Sequence, residues 1–94
     1  MTRYTIHFAG HVQGVGFRYT ARGVGRGFLV AGVVENLDDG RVLLVIEGEE
    51  QELDRFVQEL CDAMSGYVHE KTIARGPATG EYGAPGPGMV RIAF

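Results

Sequence analysis

The 94-residue sequence has one cysteine, Cys61, and no tryptophan. A single cysteine cannot form an internal disulfide, so a disulfide-stapled fold is excluded and an oxidising compartment is not indicated. The longest apolar runs, residues 28–34 and 42–46, are far too short to span a bilayer, and the N-terminus carries no apolar signal segment. We therefore expect a soluble, cytoplasmic protein in which residues 1–94 form one domain with a modest core.

Positive charge is also scarce overall. The sequence has nine lysines and arginines and twelve aspartates and glutamates, which gives a net charge of −3. This balance argues against a general nucleic-acid or anionic-membrane surface. The distribution is uneven. Residues 1–36 hold four arginines and one glutamate, a balance of +3, whereas residues 37–94 hold five cations and eleven anions, a balance of −6. The basic part of the chain suits an anionic small molecule.

Hydrophobic periodicity predicts a β-α-β-β-α-β order followed by a C-terminal strand. This order is that of the α+β, ferredoxin-like sandwich, in which both helices cover one face of an antiparallel sheet. The segment 76–88 contains five glycines and all three prolines, and we expect it to be a mobile connection without regular structure. The predicted elements are strands over 4–9, 29–37, 41–48, 67–75 and 89–94, and helices over 17–27 and 49–64.

Glycine, by contrast, is abundant, and three of the fifteen glycines lie in the stretch GHVQGVGFR, residues 10–18, between the first strand and the first helix. Backbone N–H groups of such a loop can converge on one point, because glycine adopts positive φ without a steric penalty. The helix N-terminus adds a partial positive charge, and Arg18 adds a full charge with a fork geometry suited to phosphate oxygens. The residues indicate a binding site for an anion, such as a phosphoryl group, with a plain structural turn as the alternative.

The residue identities in this stretch closely resemble the first signature of the acylphosphatase family. GVVEN at residues 32–36, followed by DGRV at 39–42, resembles the second signature, in which a strand ends in asparagine and leads into a hairpin. TGEY at residues 79–82 resembles the family's segment before the last strand. The family usually has an aromatic residue at the position of Val33 and a polar or basic one at that of Glu35. Strand alternation places Glu35 and Asn36 on opposite faces of the sheet.

The resemblance implies a hydrolase that splits the carboxyl–phosphate bond of acyl phosphates into carboxylate and inorganic phosphate, with no metal or other cofactor. By position, Asn36 would orient the attacking water. Phosphoryl transfer needs positioning and charge neutralisation more than covalent help, and a carboxylate leaves without a general acid because it is a weak base. The phosphoryl group would be bound by the Arg18 side chain and by the backbone amides of Gln13, Gly14, Val15, Gly16, Phe17 and Arg18.

Other catalytic arrangements are not evident in the sequence. His7, His11 and His69 lack the spacing of metal ligands, and no Ser/His/Asp set is visible. One alternative is a non-catalytic ferredoxin-like module that binds an anion or a protein partner through the same loop. Another is an acylphosphatase-like domain of a larger carbamoyl-transferring protein, which the 94-residue length disfavours. We expect a monomer whose partners are an acyl phosphate and its product phosphate, with no nucleic acid or membrane.

Overall fold

The computed structural model describes all 94 residues and contains five strands and two helices. The predicted order of elements is confirmed, and every boundary falls within two residues of its predicted position. Neither helix is long and apolar enough to cross a membrane. The elements are β1 (Thr2–Gly10), α1 (Phe17–Gly25), β2 (Val30–Asn36), β3 (Val42–Gly48), α2 (Glu50–Ala63), β4 (Val68–Pro77) and β5 (Met89–Ile92).

The five strands form one sheet in the order β4-β1-β3-β2-β5. All neighbouring pairs are antiparallel except β2 and β5, which run parallel. The sheet is therefore mixed: the predicted antiparallel arrangement is confirmed for β4, β1, β3 and β2, and the additional C-terminal strand β5 runs parallel to β2 at the edge. β4 ends at Pro77, opposite Thr2, and β5 starts at Met89, opposite Ala31, at the same end of the sheet. Because the chain crosses the sheet along that end, β5 has to run in the direction of β2.

Both helices pack on one face of the sheet, as predicted. Along β1 the side chains of Tyr4, Ile6 and Phe8 are buried on that face and belong to the same apolar cluster as residues of both helices. The ring of Phe17, the first residue of α1, lies 4.8 Å from the ring of Phe8. This contact fixes the start of α1 against the C-terminal end of β1. The start of α1 is thereby held by core packing.

Two glycines are required by close packing. A Cβ at Gly32 in β2 would clash with the carbonyl oxygen of Val45 in the neighbouring strand. A Cβ at Gly25 would lie 2.8 Å from Cγ2 of Val90, so glycine lets the end of α1 pack directly on β5. The Gly25 contact brings α1 close to the sheet in spite of the poor helix propensity of its glycines, whereas Gly32 allows β2 to approach β3 closely.

The segment after β4 is anchored, in contrast to the mobile connection expected over 76–88. Strand β4 continues to Pro77, and Gly86 donates a backbone hydrogen bond to Val30. The side chain of Glu47 in β3 is only 2% exposed. It accepts hydrogen bonds from the amide N–H groups of Thr79 and Gly80, from Oγ1 of Thr79 and from Nε of Arg3, at 2.7–3.0 Å. A buried carboxylate needs such partners, and this segment supplies three of the four.

Glu47 should make the free energy of unfolding depend on pH in the acidic range. Burial alone would raise the pKa of Glu47, but the hydrogen bonds from Thr79, Arg3 and Gly80 outweigh burial and lower the pKa to about 2. A lowered folded-state pKa stabilises the native state above pH 4.5, and this contribution is lost as the pH falls from about 4.5 towards 2. We expect Glu47→Gln to lower the free energy of unfolding at pH 7 by about 2–3 kcal/mol, a difference that shrinks in acid.

Urea denaturation of both proteins at pH 7 and pH 3 measures this difference. Glu81→Gln is the matched control, because Glu81 also pairs with Arg3, at 2.8 Å, but its side chain is 58% exposed. We expect this control to change the free energy of unfolding by about 1 kcal/mol or less. A Glu47→Gln protein with the same acid dependence as the wild type would contradict the assignment.

Candidate active site

The loop between β1 and α1 lies at the same end of the sheet as Asn36. β1 and β2 each pair antiparallel with β3, so they run in the same direction and end together at Gly10 and Asn36. Phe8 and Asn36 both lie opposite Val42, one on each side of β3. Since neighbouring strands are about 4.8 Å apart, Asn36 is about two strand spacings from β1. The fold thus brings both signature segments to one edge.

The register also decides which face each side chain occupies. Phe8 and Val42 are buried on the helix-covered face, and Asn36 shares their row. The Asn36 side chain therefore lies on the face where α1 begins. Glu35 pairs with Leu43, in the row of His7, on the opposite face. The predicted separation of Glu35 and Asn36 is confirmed, and the carboxylate points away from the face that carries the loop.

The loop conformation leaves backbone donors free. Gly14 and Gly16 have φ angles of 78° and 81°, and a Cβ at either position would meet no atom within 4 Å. Glycine is thus required there by the backbone conformation, and alternating conformations of this kind turn successive N–H groups towards one side. No N–H group of residues 13–16 donates to a backbone carbonyl of the chain.

The N-terminus of α1 extends this row of donors. Gly16 is the N-cap, no side chain caps the helix, and its first turn contains no acidic residue. The first amides of a helix have no carbonyl partner within the helix, and the helix dipole makes this end partially positive. The loop and the helix N-terminus together therefore offer an uncapped group of N–H donors to an anion.

Arg18 adds a full positive charge at this junction. Its side chain is half-buried in the first turn of α1. The ion pairs of the structure use Arg3, Arg41, Arg55 and Arg75, and Arg18 takes part in none of them. The guanidinium therefore retains its hydrogen-bonding capacity for a ligand with several oxygens, such as a phosphoryl group.

Asn36 contributes a polar side chain without a partner. Its backbone N–H donates to the carbonyl of Phe94 at 2.9 Å, which continues the β2–β5 ladder. Its side-chain oxygen Oδ1 is buried and has no hydrogen-bond partner in the chain. An unsatisfied buried acceptor costs about 1–3 kcal/mol, and such a group in a native fold calls for an explanation. A role in holding a water or substrate atom is such an explanation.

The Gln13 side chain makes two hydrogen bonds that the sequence did not indicate. Its Nε2 donates to the carbonyl oxygens of Leu37, at 2.8 Å, and Arg41, at 2.9 Å, in the turn between β2 and β3. No sequence pattern could have revealed this contact, because the acceptors are backbone atoms present in every residue. Of the N–H groups of Gln13, only the backbone N–H is therefore free to donate to a ligand.

The start of the loop is held by the turn before β4. The N–H of His11 donates to the carbonyl of Tyr67 at 2.9 Å, and the two rings lie 6.2 Å apart. Gly10 has a φ of 127°, and a Cβ there would lie 2.5 Å from the Tyr67 carbonyl oxygen, so only glycine fits.

The chain has no group of three or more His, Cys, Asp and Glu side chains placed to hold a metal ion.

Comparisons with known proteins agree with the signatures. The family model for acylphosphatase matches residues 4–82. The chain is 49% identical over 57 residues to an acylphosphatase from Archaeoglobus fulgidus, covering 61% of this chain and 64% of that protein. It is 42% identical over 60 residues to one from Clostridium acetobutylicum, covering 64% and 66%. The matched region thus spans slightly less than two thirds of each relative's length.

The fold agrees over the whole chain with a solved structure. The crystal structure of acylphosphatase from Bacillus subtilis superposes with a TM-score of 0.85 at 30% sequence identity, and the alignment covers 100% of both chains. This similarity confirms the ferredoxin-like α+β fold predicted from the order of elements. With the family model matching most of the chain and both signature segments at one edge of the sheet, the chain belongs to the acylphosphatase family.

Proposed function

We propose that this protein is an acylphosphatase, which hydrolyses the carboxyl–phosphate bond of acyl phosphates to carboxylate and inorganic phosphate without a metal ion or other cofactor. The observation that carries the proposal is the meeting, at one end of the sheet, of uncapped backbone donors, an unpaired arginine and an unpaired asparagine. Family membership and the full-length similarity to the Bacillus subtilis structure support it.

In this proposal the loop and Arg18 bind the phosphoryl group. The amides of residues 13–18 donate to its oxygens, and the guanidinium neutralises the negative charge that they carry in the transition state. Because these donors are in place before substrate arrives, little reorganisation accompanies the reaction. The absence of an acidic side chain from the first turn of α1 leaves the charge of Arg18 uncompensated by its neighbours in that turn.

Asn36 holds the attacking water. Its carboxamide has an oxygen without a partner and an NH2 group that makes no hydrogen bond within the chain, so it can both accept from and donate to one water. The water oxygen forms a bond to phosphorus while the bond from phosphorus to the acyl oxygen breaks, and the carboxylate leaves with the electron pair. The proton of the water passes to a phosphate oxygen. The weakly basic leaving group needs no proton donor.

The direct test is phosphate release from acetyl phosphate by the wild-type protein, with and without a chelator. We expect turnover well above the uncatalysed rate and no effect of the chelator. A ferredoxin-like binding module would instead bind phosphate without turnover, which is the result that would overturn the proposal. Loss of activity on chelation that is restored by a divalent cation would overturn its metal independence.

Inorganic phosphate should stabilise the folded protein, because the anion-binding site exists only when β1, the loop and α1 are assembled. At a hundredfold excess over Kd, the gain in the free energy of unfolding is about 2.7 kcal/mol. Thermal melts in phosphate and in sodium chloride of equal ionic strength measure the specific part of the effect. Arg18→Ala is the control variant, and its melting temperature should respond much less. Identical melts of the wild type in the two salts would contradict an anion-binding site.

We further propose that residues 1–94 form a single domain that acts as a cytoplasmic monomer, with an acyl phosphate and its product phosphate as partners. The lone cysteine and the net charge of −3 support a reducing compartment and argue against nucleic-acid or membrane partners. Light scattering should give the mass of one 10.2 kDa chain. A mass of two or more chains would contradict the monomer.

A further inference from the structure

Gln13 connects the phosphate-binding loop to the turn that follows Asn36. Its Nε2 donates to Leu37 and Arg41, and these two residues also close the turn themselves, because the Leu37 N–H donates to the Arg41 carbonyl at 2.8 Å. One NH2 group therefore holds both sides of the turn. The turn begins one residue after Asn36, so its position determines where the end of β2 lies relative to the loop.

No other hydrogen bond joins the two segments. The loop is otherwise bonded to Tyr67 on the far side, through the His11 N–H, and its last residue accepts from Thr20 within α1. The turn is otherwise bonded to itself and, through the Asn36 N–H, to Phe94. The Gln13 carboxamide is thus the single hydrogen-bonded connection between the donors of the loop and the strand end that carries Asn36.

The chemistry of this contact requires a side chain that donates two hydrogen bonds, which the Gln13 carboxamide does. Both partners are carbonyl oxygens, which only accept hydrogen bonds, and both hydrogens of the Gln13 NH2 group are used. The remaining polar atom of the side chain, Oε1, is an acceptor and would repel a phosphate oxygen. The side chain therefore has no donor left for a substrate, which separates its role from that of the Gln13 backbone N–H.

We propose that Gln13 is a positioning residue, whose carboxamide sets the distance between the loop that binds the phosphoryl group and Asn36, which holds the water. This inference rests on the proposed function. Attack on phosphorus requires the water and the phosphoryl group to be aligned, and a misplacement of about 1 Å can cost about a hundredfold in rate. Gln13 acts on the reaction only through this alignment and touches neither reactant with its side chain.

The test is a double-mutant cycle between Gln13→Met and Asn36→Ala. Methionine has a similar length and no donor. We expect Gln13→Met to lower kcat for acetyl phosphate by about ten- to a hundredfold, and to change the Kd of inorganic phosphate by about threefold or less. In the Asn36→Ala background the same substitution should change kcat by about threefold or less, because no held water remains to be misaligned.

Gln58→Met is the matched control, since Gln58 also donates a side-chain hydrogen bond, to Asp62 at 3.0 Å, but lies on the exposed surface of α2. We expect it to keep wild-type kcat. If Gln13→Met does not fold, Gln13→Asn, which keeps the NH2 group but shortens the side chain by one methylene, should show the same non-additive loss of kcat at smaller size.

Each other outcome overturns the inference. A parallel loss of phosphate affinity and kcat in both backgrounds would mean that the Gln13 side chain binds substrate. Unchanged kcat in a destabilised Gln13→Met protein would mean that the contact is structural only. Turnover by the wild type with additive losses overturns the positioning role alone, whereas a wild type that binds phosphate without turnover overturns the proposed function as well.

Discussion

Arg18→Ala is expected to lower kcat/KM for acetyl phosphate by about a thousandfold or more, the size of effect seen when an arginine that stabilises a phosphoryl transition state is removed. Arg18 carries the full positive charge at the junction of the loop and α1, and no carboxylate of the chain pairs with it. The backbone donors remain in the variant, so residual phosphate binding is expected, with a clearly raised Kd.

Arg18→Lys should recover little of this loss. Lysine restores one positive charge, but it lacks the planar fork that donates two parallel hydrogen bonds to neighbouring oxygens. We expect its kcat/KM to stay within about tenfold of that of the alanine variant. Activity near the wild-type level in the lysine variant would show that charge alone is sufficient and that the geometry of the guanidinium is not used.

Arg22→Ala is the matched control for both variants. Arg22 lies one turn further along α1, is exposed, and places its guanidinium 5.2 Å from the ring of Tyr19. The Arg22→Ala substitution removes the same charge from the same helix. It therefore measures the general effect of that charge on kcat/KM, which solvent and salt screen strongly. We expect about a twofold change or less in kcat/KM. A folded Arg18→Ala protein that matches Arg22→Ala in activity would refute the site.

The order of elements could be predicted because its signals are local. The alternation of Tyr4, Ile6 and Phe8 is that of a strand with one buried face, and the apolar stripe of α2 repeats at helical spacing. The continuous apolar run 42–46 correctly indicated a central strand, since β3 lies between β1 and β2. Each of these patterns depends only on which neighbours along the chain are buried together.

The anchoring of the segment after β4 could not be predicted in this way. Its composition indicates an irregular connection, and that part of the prediction holds beyond Pro77. What holds the segment in place is Glu47, a charged residue that follows the apolar run of β3 and whose partners lie 32 and 33 residues further along the chain. The direction of β5 depends on the path of the same segment. Contacts of this range leave no periodic signal.

In the candidate site too, features with a local sequence signal could be predicted, whereas features that depend on contacts between distant segments could not. The resemblance to the family signatures singled out Arg18, Asn36 and the loop, and the alternation of side chains along a strand is enough to separate Glu35 from Asn36. The structure adds the free donors of the loop, the unpaired Oδ1 of Asn36 and the Gln13 contacts. These are properties of three-dimensional hydrogen bonding, since a backbone carbonyl that accepts from Gln13 is indistinguishable in sequence from one that does not.

Asn36→Ala is expected to lower kcat by about a hundredfold or more while the Kd of inorganic phosphate changes by about threefold or less. The two quantities separate because Asn36 is assigned to the water, whereas the loop and Arg18 are assigned to the phosphoryl group. Unlike kcat, the free energy of unfolding should not fall in this variant. Removing a buried acceptor that has no partner sacrifices no hydrogen bond, so the free energy of unfolding should stay the same or rise by about 1 kcal/mol.

Glu35→Gln is the control for this variant, because Glu35 is the preceding residue of the same strand and faces the opposite side of the sheet. We expect its kcat to be unchanged, and its KM to fall slightly at low salt as one negative charge is removed. Phosphate titrations and single-turnover rates of the two variants, alongside Arg18→Ala, provide the comparison. If Asn36→Ala and Arg18→Ala lose phosphate affinity equally, the division between water and phosphoryl binding is wrong. If Glu35→Gln loses about a hundredfold in kcat, a carboxylate takes part in the proton transfer and asparagine alone does not activate the water.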